Sequence, residues 1–262
     1  MLSAGPSGLA DWPRPFVFRA AHLDGCTVPP GATFHFDLNL FDVKRPALDP
    51  FITAFAQLAL EGLGPGRGRA ILASVSLLNG CADAPQVIYD GASRLLDHLS
   101  PLSVSLAPEP VPVDRVRVRF VTPTELKSDR HLAASPEFAV LVGRIRDRLS
   151  TLRELYALEP LEIDFRGLAL RAAKVSMTRC QLHRRNITRR SSKTGQFHSI
   201  GGFLGEAEYE GDLAEFVPYL RAAKWTGVGR QTVWGKGEID VEVLSLPASG
   251  AQSRPARSGQ GR

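Results

Sequence analysis

The sequence predicts a mixed α+β fold in which the order strand, helix, glycine-rich loop, strand occurs twice. Residues 201–243 run as an alternating strand, an apolar-faced helix, a loop holding Gly227, Gly229, Gly235 and Gly237, and a last alternating strand. Residues 34–78 run in the same order, with GPGRGR at 64–69 as the loop. The length of 262 residues suffices for two such units, each with its own core.

Composition excludes several classes. The 44% hydrophobic content fits a globular chain, and no apolar run reaches the roughly 20 residues of a membrane span. The first residues lack the basic and apolar regions of a signal peptide. Cys26, Cys81 and Cys180 stand singly, so neither a disulfide framework nor a zinc site is expected, and a reducing cytoplasm is. The formal charge of +5 is modest, but its distribution is not. No acidic residue occurs from 165 to 205, where the cations concentrate.

Taken in order, residues 1–13 read as a flexible lead and 16–20 as a short strand. Residues 34–41 alternate apolar and polar, which predicts a half-buried strand. Asp49 and Pro50 read as N-cap and first residue of a helix over 50–61, and 70–78 as a strand. A short helix is expected at 91–99 and a proline-rich linker around 101–112. Val116, Val118 and Phe120 alternate with Arg115, Arg117 and Arg119 as a strand. Ser135 and Pro136 then introduce a long amphipathic helix. Residues 161–177 read as extended. Asp212 and Glu215 have capping-box spacing for a helix over 213–224, which Pro218 is expected to kink or shorten. A strand over 238–246 and a low-complexity tail over 247–262 close the chain.

The basic stretch TRCQLHRRNITRRSSKTGQFHSIGG at 178–202 reads as a hairpin that clamps a polyanion. Its candidates are Arg179, Arg184, Arg185, Arg189 and Arg190, without a compensating carboxylate in the segment. The loop adds Gly227, Gly229, Arg230, Gly235, Lys236 and Gly237, since glycines let backbone N–H groups approach phosphate. It is neither a dinucleotide fingerprint, because a helix precedes it and a strand follows, nor a Walker loop, because the spacing differs.

Two strings, GGFLGEAEYEGDL at 201–213 and GVGRQTVWGKG at 227–237, flank a helix and precede a last strand. They resemble the C-terminal signature of the CRISPR repeat-processing endoribonucleases of the RAMP superfamily. PFVF at 15–18, EGLGPGRGRAIL at 61–72 and FVTPTELKSDRHL at 120–132 extend the resemblance over nearly the whole chain. It implies two tandem ferredoxin-like (RRM-like) domains, at 14–110 and 113–246, with the glycine-rich loop in the second. It also implies cleavage of CRISPR repeat RNA (pre-crRNA) without metal or cofactor. The ribose 2′-OH attacks its own phosphate, giving 2′,3′-cyclic phosphate and 5′-OH ends, and the product crRNA stays bound. Partners are then the repeat RNA and other subunits of a CRISPR effector complex.

That reaction needs a base, a cation near the phosphorane and a proton donor. Relatives often carry a histidine near the first helix, and residues 50–61 have none. His198, at the foot of the basic hairpin, ranks first as base, His35 second, and Lys193 is the electrostatic partner. A non-catalytic crRNA-binding subunit is the alternative. A generic sheet-based RNA binder is disfavoured because no RNP-type aromatic motif is present.

Overall fold

The computed structural model describes residues 12–45, 47–64, 66–78, 85–95, 101–128, 131–157, 159–186, 188–190, 195, 197–199 and 201–244. Residues 1–11 of the expected lead at 1–13, Lys193 and the expected tail at 247–262 lie outside these residues.

The N-terminal half begins with β1 (Phe16–Arg19) and β2 (Asp37–Leu40), antiparallel with Phe16 opposite Leu40 and Arg19 opposite Asp37. Helix α1 (Leu48–Glu61) lies on them through aromatic rings. Phe51 meets Phe16 and Phe55 meets Phe36, each at 5.0 Å, and Phe55 meets Phe18 at 5.7 Å, all near edge-to-face. The helix starts at Leu48, so Asp49 is in its first turn, not its N-cap, and pairs with Arg94 at 2.5 Å. β3 (Val75–Leu77) and β4 (Gln86–Tyr89) form a separate antiparallel pair. Residues 91–95 form no helix. Asp90 Oδ1 accepts from the backbone N–H of Ala92 and Ser93, an Asx turn that takes the chain back toward β4.

The C-terminal half is built on β5 (Arg115–Thr124), followed by a small hairpin, β6 (Lys127–Ser128) and β7 (His131–Leu132). Then come α2 (Phe138–Tyr156), α3 (Phe165–Ala172) and β8 (Ser176–Arg185). An arm of β9 (Thr188–Arg190) and β10 (Phe197–Ser199) precedes β11 (Gly202–Glu210), α4 (Val217–Thr226) and β12 (Ile239–Val243). The sheet order is β12-β5-β11-β8, every neighbouring pair antiparallel. Of the four sheet strands, the first and third in chain order, β5 and β11, thus lie at the centre, which interlocks the two strand–helix–strand units. Val116, Val118 and Phe120 face inward and are buried with Phe138, Leu141, Ile145, Leu213 and Leu220. Each such side chain contributes about 1.5–3 kcal/mol on leaving water.

Two helices differ from expectation. Residues 165–172 are helical, not extended. Asp164 accepts from Gly167 N as an N-cap, the segment has no β-branched residue, and Leu168 and Ala172 face the core. α4 starts at Val217, not 213. Pro218 occupies its first turn, where a missing N–H costs nothing, so of the two expected effects the helix is shortened at its start and not kinked. Glu215 is drawn away from capping by Arg171, at 2.6 and 3.0 Å.

Candidate nucleic-acid interface

The segment 227–238, between α4 and β12, is where three distant parts of the chain meet. Gly229 has φ +83°, and a Cβ there would collide with the Glu125 carbonyl just after β5. Arg230 N donates to that same oxygen at 3.1 Å. Gly237 has φ +69° and is closed in by the Val228 backbone, while its N–H donates to Pro123 O at 3.2 Å. A Cβ on Gly235 would sit 3.2 Å from the Phe18 carbonyl of β1, and one on Gly227 3.0 Å from the Thr232 side chain. The glycines therefore admit the protein's own backbone.

Lys236 is 5% exposed. Its Nζ donates to Gly201 O at 2.5 Å and to Gln231 Oε1 at 2.9 Å, and pairs with Glu125 at 3.4 Å. Burial lowers its pKa and Glu125 opposes that. The lysine thus ties the loop to the root of the arm. Arg230, 3.6 Å from Glu125 and 48% exposed on its side chain, is the loop cation that solvent reaches.

The N-terminal hairpin is fastened to the same place. Arg19 donates to Lys224 O at 2.9 Å and Asn39 to Trp225 O at 2.8 Å, and from α2 Arg148 donates to Thr226 O at 2.7 Å. These carbonyls end α4, where the helix dipole is negative and cations are favoured. Burial, and secondarily Arg19, lowers Arg148 to about 10.

Two exposed histidines stand beside this junction. His22 and His35 stack with ring centroids 4.5 Å apart and planes 23° from parallel. His22 Nε2 donates to His35 O at 2.8 Å, which fixes its tautomer. No described residue hydrogen-bonds the His35 ring. His35 lies two residues before Asp37, which pairs with Arg19, so it belongs to the hairpin end that reaches α4.

β8 carries Arg179, Arg184 and Arg185. Arg184 donates to Ala133 O at 3.2 Å, and Arg185 is exposed opposite Gly202. The arm pairs Arg190 with Phe197 and Arg189 with His198, so it holds these basic positions and His198 on one short ladder.

The segment 165–205 lacks acids, but the fold supplies them. On the sheet face away from the helices, Arg115, Arg117, Arg119 and Arg179 interleave with Glu206, Glu208, Glu210, Asp240 and Glu242. Glu208 is 1% exposed beneath these arginines, and its pKa falls to about 2, through hydrogen bonds from Arg117 and then Arg115. Arg179 therefore has carboxylate partners, Glu208 at 3.3 Å and Glu206 at 3.8 Å. This face is self-neutralised and unsuited to a polyanion. Sequence reading missed that pairing, although Glu206, Glu208 and Glu210 alternate in step with Arg115, Arg117 and Arg119.

A carboxylate whose folded pKa lies below its ordinary 4.5 adds stability above that value and loses it as pH falls toward 2. Glu208→Gln is accordingly expected to lower the urea midpoint at neutral pH. It should also flatten the midpoint's fall between pH 4.5 and 2, as read from urea titrations at several pH values.

Among the described residues no group of His, Cys, Asp or Glu could hold a metal ion, and no helix is long and apolar enough to cross a membrane.

The part of the chain that holds the antiparallel sheet, the basic arm and the glycine-rich connection is also the part that resembles known proteins of CRISPR systems. The family model of the CRISPR-associated endoribonuclease Cas6 matches residues 118–239. A second model, described as an N-terminal domain, matches residues 4–100. The fold is similar to that of Thermus thermophilus Cas6 in its product complex, at 18% identity over 88% of this chain and 83% of that one, TM-score 0.51. Another Cas6 product complex aligns at 20% identity over 87% of this chain and 82% of that one, TM-score 0.45. No curated protein matches significantly.

Proposed function

We propose that the chain is a metal-independent endoribonuclease that cuts CRISPR repeat RNA once per repeat and keeps its product. The match of 118–239 to the Cas6 family, spanning the sheet, the arm and the glycine-rich connection, carries this reading. In it the two halves, 14–110 and 113–246, are tandem ferredoxin-like domains. The βαββαβ order of the second supports that assignment, whereas the described residues of the first form two separate two-stranded sheets. In this reading the protein works in the cytoplasm.

His35 takes the proton from the 2′-OH, whose oxygen attacks the adjacent phosphorus. The bond from phosphorus to the 5′ oxygen breaks, leaving a 2′,3′-cyclic phosphate and a 5′-OH. The sequence ranks His198 first and His35 second, but the exposed position of His35 and its stacked ring support giving it the base role in place of His198. His198 on the arm supplies the donor to the 5′ oxygen, and Lys193 the charge opposite the phosphorane. Arg184, Arg185, Arg189, Arg190 and Arg230 hold the RNA backbone, while Lys236 and the loop glycines position that surface from within.

The cut RNA is retained because backbone contacts outside the scissile bond survive cleavage, and other CRISPR proteins then assemble on it. The test is incubation of the purified protein with a synthetic repeat RNA in EDTA, with mass analysis of the ends. Cyclic phosphate and 5′-OH ends are expected. Tight binding without cleavage would favour the alternative, a non-catalytic crRNA-binding subunit.

A further inference from the structure

A mid-helix glycine needs a reason, since glycine costs a helix interior about 1 kcal/mol relative to alanine. Gly143 sits well inside α2 with ordinary helical backbone, and a Cβ built on it meets nothing within 4 Å. Packing therefore does not demand it. It forms instead the floor of an open groove of about 230 Å³, walled by β6, α2 and α3.

The groove is basic. Lys127, Arg144 and Arg146 line it, and Asp147 is its single carboxylate. Arg146 is engaged by Asp147, by Phe165 O and by the Phe165 ring. Arg144 touches Asp147 only at 3.5 Å, both side chains being well exposed, a pair that water easily loosens. Lys127 makes no ion pair among the described residues. That contrasts with the sheet face, where each arginine has a carboxylate.

Position completes the argument. The β6–β7 excursion is anchored at one side by Glu125, whose carbonyl holds Arg230 of the glycine-rich connection. At the other side Ala133 accepts from Arg184 at the end of β8. Arg184 at the end of β8 and Arg230 of the glycine-rich connection thus bracket the hairpin whose Lys127 lines the groove.

We infer that this groove is a further phosphate-binding site for the RNA backbone, with Lys127 and Arg144 as its cations and Gly143 as the gap that lets a ribose-phosphate lie against the helix. The inference rests on the repeat-RNA reading above. It is sequence-independent, because a lysine point charge and a bare helix floor read charge and shape, not base edges.

The test measures affinity for the synthetic repeat RNA across a salt titration for wild type, Lys127→Ala and Gly143→Leu, with Gly143→Ala as a folding control. Gly143→Ala is expected to melt at or above the wild-type temperature. Lys127→Ala should weaken binding about three- to tenfold and reduce the slope of log K against log salt by about 0.7–0.9, the loss of one phosphate contact. Gly143→Leu should weaken binding by filling the floor without unfolding the chain. Retained wild-type binding with both variants unchanged in affinity and slope would overturn the groove alone. A wild-type protein that does not bind the repeat RNA would overturn the parent reading with it.

Discussion

His35→Ala is expected to lower the single-turnover cleavage rate of repeat RNA by roughly 10²–10⁴-fold, the usual contribution of a positioned general base. The expectation rests on geometry. The His22 ring is committed through Nε2 to the His35 carbonyl, while the His35 ring has only the stack at 4.5 Å. A base must have a free nitrogen and a fixed orientation, and the stack supplies the second without consuming the first. His22→Ala should therefore cost less, because it loosens the orientation but leaves the imidazole that takes the proton. Affinity measured separately distinguishes chemistry from binding, since loss of a proton acceptor leaves the backbone contacts intact. An unchanged rate in His35→Ala would return the base role to His198.

The second large effect is on stability. Glu125→Gln removes the carboxylate that faces both Lys236 and Arg230. Lys236 then remains buried with only neutral oxygens, those of Gly201 and Gln231, around its ammonium. Removing one member of a buried pair costs about 3–5 kcal/mol, because the other charge is left uncompensated. A urea titration should show that loss, and Glu125→Gln/Lys236→Met should recover part of it. The pH dependence gives a second check. Burial alone, unopposed, would depress the Lys236 pKa further below its ordinary 10.5. The unfolded chain then binds more protons than the folded one in the alkaline range, so the variant should regain stability as pH rises toward 10.5. The wild type, with Glu125 in place, should regain less.

The strands of the C-terminal sheet were legible because they alternate strictly. Val116, Val118 and Phe120 declare an inner face, and the sheet buries all three. The long helix α2 was legible for the same reason at helical period. What sequence could not show was set by contacts between distant positions. Residue 165 onward reads as extended until Asp164 is seen to cap it. Arg179 looks uncompensated until β11 brings Glu206 and Glu208 alongside. The glycines at 227–237 suggested a phosphate cradle, whereas Gly229 and Gly237 are filled by the backbone of Glu125 and Val228. Periodicity reports which face of an element is buried, not which element covers it. The His22–His35 stack is of the same kind, since thirteen residues separate rings that a turn and a short helix bring together.

The central claim is that the RNA's own 2′-OH is the nucleophile. It is tested most directly by repeat RNAs carrying one 2′-deoxy substitution at each successive position, incubated with the protein in EDTA. The account predicts that a single deoxy position abolishes cleavage while all others are cut normally, which also locates the scissile bond. Cleavage that persists through every single substitution, or that stops with EDTA on the all-ribose RNA, would contradict it.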